Sequence, residues 1–499
     1  MILAIDQGTT GTKCLVVDAE AEVIGRAQRE HAPRFPRPGW VEHDAAEIWE
    51  VAHAATGEAL ADAGLEPGEL LAVGIANQRE TVLAWDPASG EPLTPAIVWQ
   101  DRRTAARCDE LRAAGHEALV RERTGLVLDP YFSATKLEWL LREVDGLRER
   151  ARDGRAMLGT IDSWLLFKLT GEHATDSSNA SRTMLYDIRR GAWDEQLCEL
   201  LGVPARALPE VRPSIGALGV TRPEALHGHA APVAGVAGDQ QAALYGQACL
   251  DPGAGKCTYG TGSFALLNAG DAAPEPPSGL LTTVAWTIGR RTLYALEAAV
   301  LAAGATVQWL RDGLGAIERA EQAEALAASL DGNDGVYLVP AFAGLGSPHW
   351  DAHARGTIVG LTRGSGRAHL ARAALEAIAY QTVDAVAAQE RAAGRSLAEL
   401  RVDGGPTADR WLMQFQADVL GRPVVVPEVQ ETTALGAALM AGVGVGLWTQ
   451  DAVRRAWRER ARYEPAMSGD EREALLRGWH AALATARNHG SGPGIRTPA

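Results

Sequence analysis

The sequence predicts an α/β protein built from two related halves, and three observations predict it. Strand and helix signals alternate along the chain, the pattern of strands covered by helices. An apolar strand, a Gly-Thr turn and a second apolar strand occur in residues 3–17 and again in residues 256–268. Clusters of polar residues and glycines stand where strands should end, and ligands of open α/β sheets gather there. At roughly 100–200 residues per domain, 499 residues hold more than one core.

The elements follow in order. Residues 2–5, 14–17 and 22–26 are apolar runs separated by a Gly/Thr turn and an acidic turn, which predicts a three-stranded antiparallel meander. Residues 33–39 read as a loop. Asp44 with Glu47 three residues later is a capping box opening an alanine-rich helix to about Ala63. Residues 70–76 return as a buried strand. The second hairpin begins at Lys256, and the run Asp251-Pro-Gly-Ala-Gly255 before it is the expected crossing between domains. The division is therefore 1–250 and 251–487, with residues 488–499, rich in Gly, Pro and Ser, as a disordered tail.

Composition narrows the partners. With 46% apolar and 22% charged residues the chain is globular. Lys and Arg total 48 against 63 Asp and Glu, so the net charge of −15 repels a polyanion and argues against nucleic acid. Five scattered cysteines form no Cys-x-x-Cys pair, which fits a reducing cytoplasm. An acid at residue 6 and the lack of a long apolar run argue against export and against a membrane partner.

No P-loop, His-Glu-x-x-His or Gly-x-Ser-x-Gly motif occurs, so phosphate would have to sit between the two glycine-tipped hairpins, whose backbone N–H groups can face an anion. Asp6 ends the first strand beside Gly8-Thr-Thr-Gly11 and is placed to hold Mg²⁺ through water. Three clusters follow strands. Arg79 and Glu80 in Asn77-Gln-Arg-Glu-Thr81 can grip neighbouring hydroxyls of a small ligand. Asp239 ends an apolar strand and could equally cap the helix after it. Gly404-Gly-Pro-Thr-Ala-Asp409 suits a base or phosphate at a helix start. Trp99 reads as core on periodicity alone, and His227, His229, His349 and His353 read as surface or loop residues.

Together, Asp6-Gln-Gly-Thr-Thr10, Asn77-Gln-Arg-Glu-Thr81, Ile97-Val-Trp-Gln-Asp-Arg-Arg-Thr104, Asp129-Pro-Tyr-Phe-Ser133, Gly159-Thr-Ile-Asp-Ser-Trp164, Gly238-Asp-Gln-Gln-Ala-Ala-Leu244, Tyr259-Gly-Thr-Gly262, the segment 342–356 and Glu431-Thr-Thr-Ala-Leu-Gly436 resemble the FGGY carbohydrate kinases, in particular those that phosphorylate glycerol. The resemblance covers residues 1–445. It implies two actin-like (ribonuclease H-like) domains with an ATP and substrate cleft between them, and a homo-oligomer, dimer or tetramer. By position it implies that Arg79, Glu80, Tyr131, Asp239 and Gln240 hold the glycerol hydroxyls, with Trp99 and Phe264 as the apolar wall. Thr9, Thr10, Gly11, Lys13, Thr261, Gly304, Gln308, Gly405 and Asp409 are implied for ATP, Asp6 and Asp239 for Mg²⁺, and Asp239 as the general base. The sequence departs from the pattern at Gly11-Thr-Lys13, where Ser-Ser-Arg or similar is usual, at Ala134 for glycine, and at Asp409 for asparagine. Residues 226–231 lack the arginine associated with sugar-bisphosphate inhibition in some relatives, so that regulation is not expected.

Overall fold

The computed structural model describes residues 1–490 except 67 and 276, and not the side chains of 489 and 490. Of the tail expected from Asn488, residues 488–490 are helical instead. The last helix runs through Gly490, its Leu483 and Ala486 packed into the core, and residues 491–499 lie outside the described residues. Among the described residues no helix is long and apolar enough to cross a membrane.

One thirteen-stranded sheet runs through the molecule. Its strands, in chain order, are β1 (Ile2–Gln7), β2 (Gly11–Val17), β3 (Val23–Glu30), β4 (Ala72–Asn77), β5 (Ile215–Val220), β6 (Pro232–Gly238), β7 (Gly255–Tyr259), β8 (Ser263–Gly270), β9 (Leu281–Ile288), β10 (Arg291–Val300), β11 (Leu400–Asp403), β12 (Val424–Pro427) and β13 (Glu459–Tyr463). The expected meander is present as β1 to β3, with β3 running four residues beyond the expected Arg26.

Pairing shows the duplication directly. In the first half β3, β2 and β1 are antiparallel neighbours, and β4 and then β6 add in parallel on the other side of β1. In the second half β10, β8 and β7 are antiparallel neighbours, and β11 and then β12 add in parallel on the other side of β7. The two hairpins recognised in the sequence thus hold the same station in two copies of one topology. The halves join edge to edge at a single parallel pairing, Ile215 of β5 with Ile288 of β9.

Helices cover both faces, so the central strands are apolar on both sides instead of alternating; β4 is buried at every residue. Helix α1 (Ala45–Asp62) lies on one face, buried through Ile48, Ala52, Ala55, Ala59 and Leu60. Its N-cap is Asp44, whose side chain accepts from the Ala46 and Glu47 amides. On the other face lie α2 (Asp239–Gly246) and, reaching over from the second half, α3 (Thr432–Gly444). Their close crossing depends on glycine. A Cβ on Gly436 would stand 1.9 Å from the Ala242 carbonyl oxygen, and one on Gly246 would stand 2.0 Å from that of Thr432.

Candidate active site

Sheet register assembles the first part of the site. Gln7, Asn77 and Gly238 are register partners across β1, β4 and β6. The residues at and beyond these strand ends, Asp6, Arg79, Glu80 and Asp239, therefore meet at one edge, although more than 150 positions separate Arg79 from Asp239. Arg79 Nε lies 3.2 Å from Asp239 Oδ1 and 3.7 Å from Glu80 Oε1. Its Nη2 donates to the Tyr131 hydroxyl at 3.3 Å. Glu80 sits at φ 63°, a left-handed conformation uncommon for a non-glycine and characteristic of functional turns.

Asp239 is not the cap of α2. Gly238 holds that position, while the Asp239 carboxylate takes the Gln240 amide at 2.7 Å and the Arg79 ion pair, and keeps 30% of its side chain exposed. The reading of Trp99 as core also needs correction. Strands Val82–Trp85 and Ala96–Ile97 deliver it to the site half-buried, its Nε1 donating to Thr9 Oγ1 at 2.9 Å and its ring meeting Tyr131 edge-on at 5.6 Å. Phe264 borders the Arg79 guanidinium at 5.8 Å. The Gln240 carboxamide oxygen is engaged by Lys256 Nζ at 2.5 Å.

Asp6 and Asp239 lie close enough to repel. Burial first, and then Asp239, push the Asp6 carboxyl up to about 7, against the pull of Lys13. Two neighbouring carboxylates that repel each other form a donor set suited to a hydrated divalent cation. Lys13, beside Asp6 in the β1–β2 register, forms an ion pair with Glu431 at 3.7 Å. No cluster of three or more His, Cys, Asp or Glu with metal-binding geometry occurs among the described residues.

The second part of the site is a cavity of about 420 Å³ in the second half. Here β7 and β11 run in parallel register, which sets the turn 260–262 beside the turn 404–405. Gly404 is held at φ 94° with no room for a Cβ, which would fall 2.0 Å from the Tyr259 carbonyl oxygen. The cavity gathers Thr261, Gly304, Gln308, Gly405 and Asp409 on one wall system, with Leu375 and Ile378 as apolar floor. Asp409 both lines this cavity and caps the helix Arg410–Leu420, accepting from the Leu412 amide at 2.8 Å. Burial, with Glu324 nearby, lifts its carboxyl to about 6. Thr9, Thr10, Gly11 and Lys13 lie apart from the cavity, on the hairpin of the first half.

Sequence reasoning missed two residues of the first part. Glu297 on β10 takes Arg79 Nη1 at 2.5 Å and Arg182 Nη2 at 3.0 Å, and Arg182 Nε donates to Glu80 at 2.7 Å. The signal for Glu297 was a lone acid in the apolar run of β10; Arg182 left none. Burial alone would raise the Glu297 carboxyl, but the two guanidinium groups bring it down to about 2. Of the histidines, His229 is buried, while His227 and His353 are exposed in loops and His349 is half-buried in one.

Family models match both halves: the N-terminal domain of the FGGY family of carbohydrate kinases over residues 1–246 and its C-terminal domain over 255–445. A glycerol kinase of Aromatoleum aromaticum is 56% identical over 489 residues, covering 97% of this chain and 98% of that protein. One from Halorhodospira halophila is 55% identical, covering 97% and 96%. Among solved structures, glycerol kinase of Plasmodium falciparum with ADP superposes with a TM-score of 0.92 at 35% identity, over 97% of this chain and 98% of that one. A xylulose kinase of Rhodospirillum rubrum superposes at 0.86 with 28% identity, over 98% and 99%. The shared architecture is the two-domain, actin-like fold of these kinases, and it is common to kinases named for glycerol and for xylulose. With both halves matched and relatives more than half identical along nearly the whole length, this chain is an enzyme of the FGGY family of carbohydrate kinases.

Proposed function

We propose that the enzyme transfers the γ-phosphoryl group of ATP to a primary hydroxyl of glycerol, giving sn-glycerol 3-phosphate and ADP. The observation that carries this reading is the convergence of Arg79, Glu80, Tyr131 and Asp239 against the Trp99 ring. A triol needs donors and acceptors at each carbon, which a guanidinium, two carboxylates and a phenol supply side by side. Gln240 borders the same site, and Phe264 closes the apolar side. Glycerol kinases are also relatives more than half identical over nearly the full length.

Asp239 acts as general base. It takes the proton of the attacking hydroxyl as that oxygen bonds to the γ-phosphorus and the bond to the β-phosphate oxygen breaks, releasing ADP. Magnesium ion bound with ATP would neutralise the β and γ oxygens, and Asp6 and Asp239 fit its hydration shell. The cavity with Thr261, Gly304, Gln308, Gly405 and Asp409 takes the nucleoside. Thr9, Thr10, Gly11 and Lys13, on the facing hairpin, take the phosphate end. Residues 1–250 thus carry the polyol and the first hairpin, and 251–487 the nucleotide. A cytoplasmic homo-oligomer, dimer or tetramer, belongs to the same reading.

The test is a coupled assay of ADP release with glycerol, dihydroxyacetone, erythritol, xylulose and gluconate. The reading expects ADP release to depend on an acceptor and kcat/KM to be highest for glycerol. Preference for a five- or six-carbon acceptor would overturn it.

A further inference from the structure

Strand β10 is buried and apolar from Leu293 to Val300 except at Glu297, which is wholly inaccessible. Its carboxylate holds the Arg79 guanidinium by two hydrogen bonds, Nη1 at 2.5 Å and Nη2 at 3.2 Å, and takes a third from Arg182 Nη2 at 3.0 Å. Arg182 turns its Nε to Glu80 at 2.7 Å, and Glu80 returns to Arg79 Nε at 3.7 Å. The four side chains form a closed ring of alternating charge, each no more than 2% exposed. Three of its members come from the first half, and Glu297 comes from the second.

A buried charge is tolerated only when paired, and a guanidinium fixed at two nitrogens cannot turn about its last torsion. With Nη1 and Nη2 anchored on Glu297, Arg79 presents Nε to Asp239 and an Nη2 proton to Tyr131. Arg182 lies over the Tyr131 and Phe132 rings at 5.7 and 5.3 Å, so it braces Tyr131 as well as Glu80. The geometry points to Glu297 and Arg182 as positioning residues for the polyol grip. Through Glu297 the second half, which in this reading also holds the nucleotide, sets the orientation of the groups that select the acceptor. This rests on the reading of the Arg79–Glu80–Tyr131–Asp239 site as the glycerol pocket.

Glu297→Gln keeps the shape and removes the charge. It is expected to raise KM for glycerol about tenfold or more while KM for ATP moves less than about twofold, because only the acceptor grips lose their anchor. Arg182→Lys, which keeps the charge but cannot serve Glu80 and Glu297 together, should show the same split. Equal rises in both constants, or unchanged glycerol kinetics, would overturn the positioning role. Should Glu297→Gln not fold, Glu297→Asp, which retains the charge and withdraws it from Arg79, is judged by the same split. On the unaltered enzyme, glycerol without nucleotide should slow amide exchange across residues 293–300; unchanged exchange there overturns the role whatever the variants do. Loss of glycerol-dependent ADP release in the unaltered enzyme would instead overturn the pocket assignment, so the two failures are distinguishable.

Discussion

At the scale of single residues, the proposed function gives Asp239 the chemistry and Trp99 the shape. A positioned base typically contributes ~10²–10⁴ in rate, and an amide cannot accept the proton, so Asp239→Asn should lower kcat by about 10²-fold or more. Single-turnover measurement checks this, and near-normal turnover removes Asp239 from the mechanism. Trp99 stands edge-on to Tyr131 and bonds to Thr9, so Trp99→Ala opens the end of the pocket while the hydroxyl grips stay. The ratio of kcat/KM for glycerol to that for erythritol should fall; an unchanged ratio would make the ring a mere support. Asp409 is both cap and cavity wall, and a carboxylate adds negative charge where the proposed function brings in a polyanion. Asparagine caps a helix about as well as aspartate, so Asp409→Asn should leave the melting temperature unchanged and improve KM for ATP modestly. Identical ATP kinetics would confine Asp409 to capping.

At the scale of elements, the meander, α1 and the second hairpin were legible in the sequence because each declares itself within about twenty residues. Apolar runs, a glycine turn and a capping aspartate act on their own neighbourhood. The crossing of α2 with α3 was not legible, since Gly436 inside a helix reads as a weakness until its partner is known. By propensity, Gly436→Ala should stabilise α3 by about 1 kcal/mol. The 1.9 Å approach to the Ala242 carbonyl oxygen predicts the opposite, a loss of at least ~1–3 kcal/mol from overpacking against backbone. Denaturant unfolding decides the sign, and a stabilised variant would mean that the helices part at little cost.

At the scale of the whole molecule, α3 belongs by sequence to the second half yet packs on the sheet of the first, and one core cluster contains residues of both. The chain is therefore expected to melt in one calorimetric transition, whereas two resolved transitions would show halves that unfold independently. What the sequence determined by itself was the class, the repeated hairpin and most of the candidate site residues, because these rest on local pattern and on motifs read in order along the chain. Tertiary structure alone decided that Asp6, Arg79 and Asp239 share one strand edge, that Trp99 is half-buried and bonded to Thr9 and not a core residue, and that Glu297 holds Arg79 across 218 positions. Parallel register joins strands far apart in sequence, and a buried charge finds its partner through space; neither leaves a periodic trace in the chain.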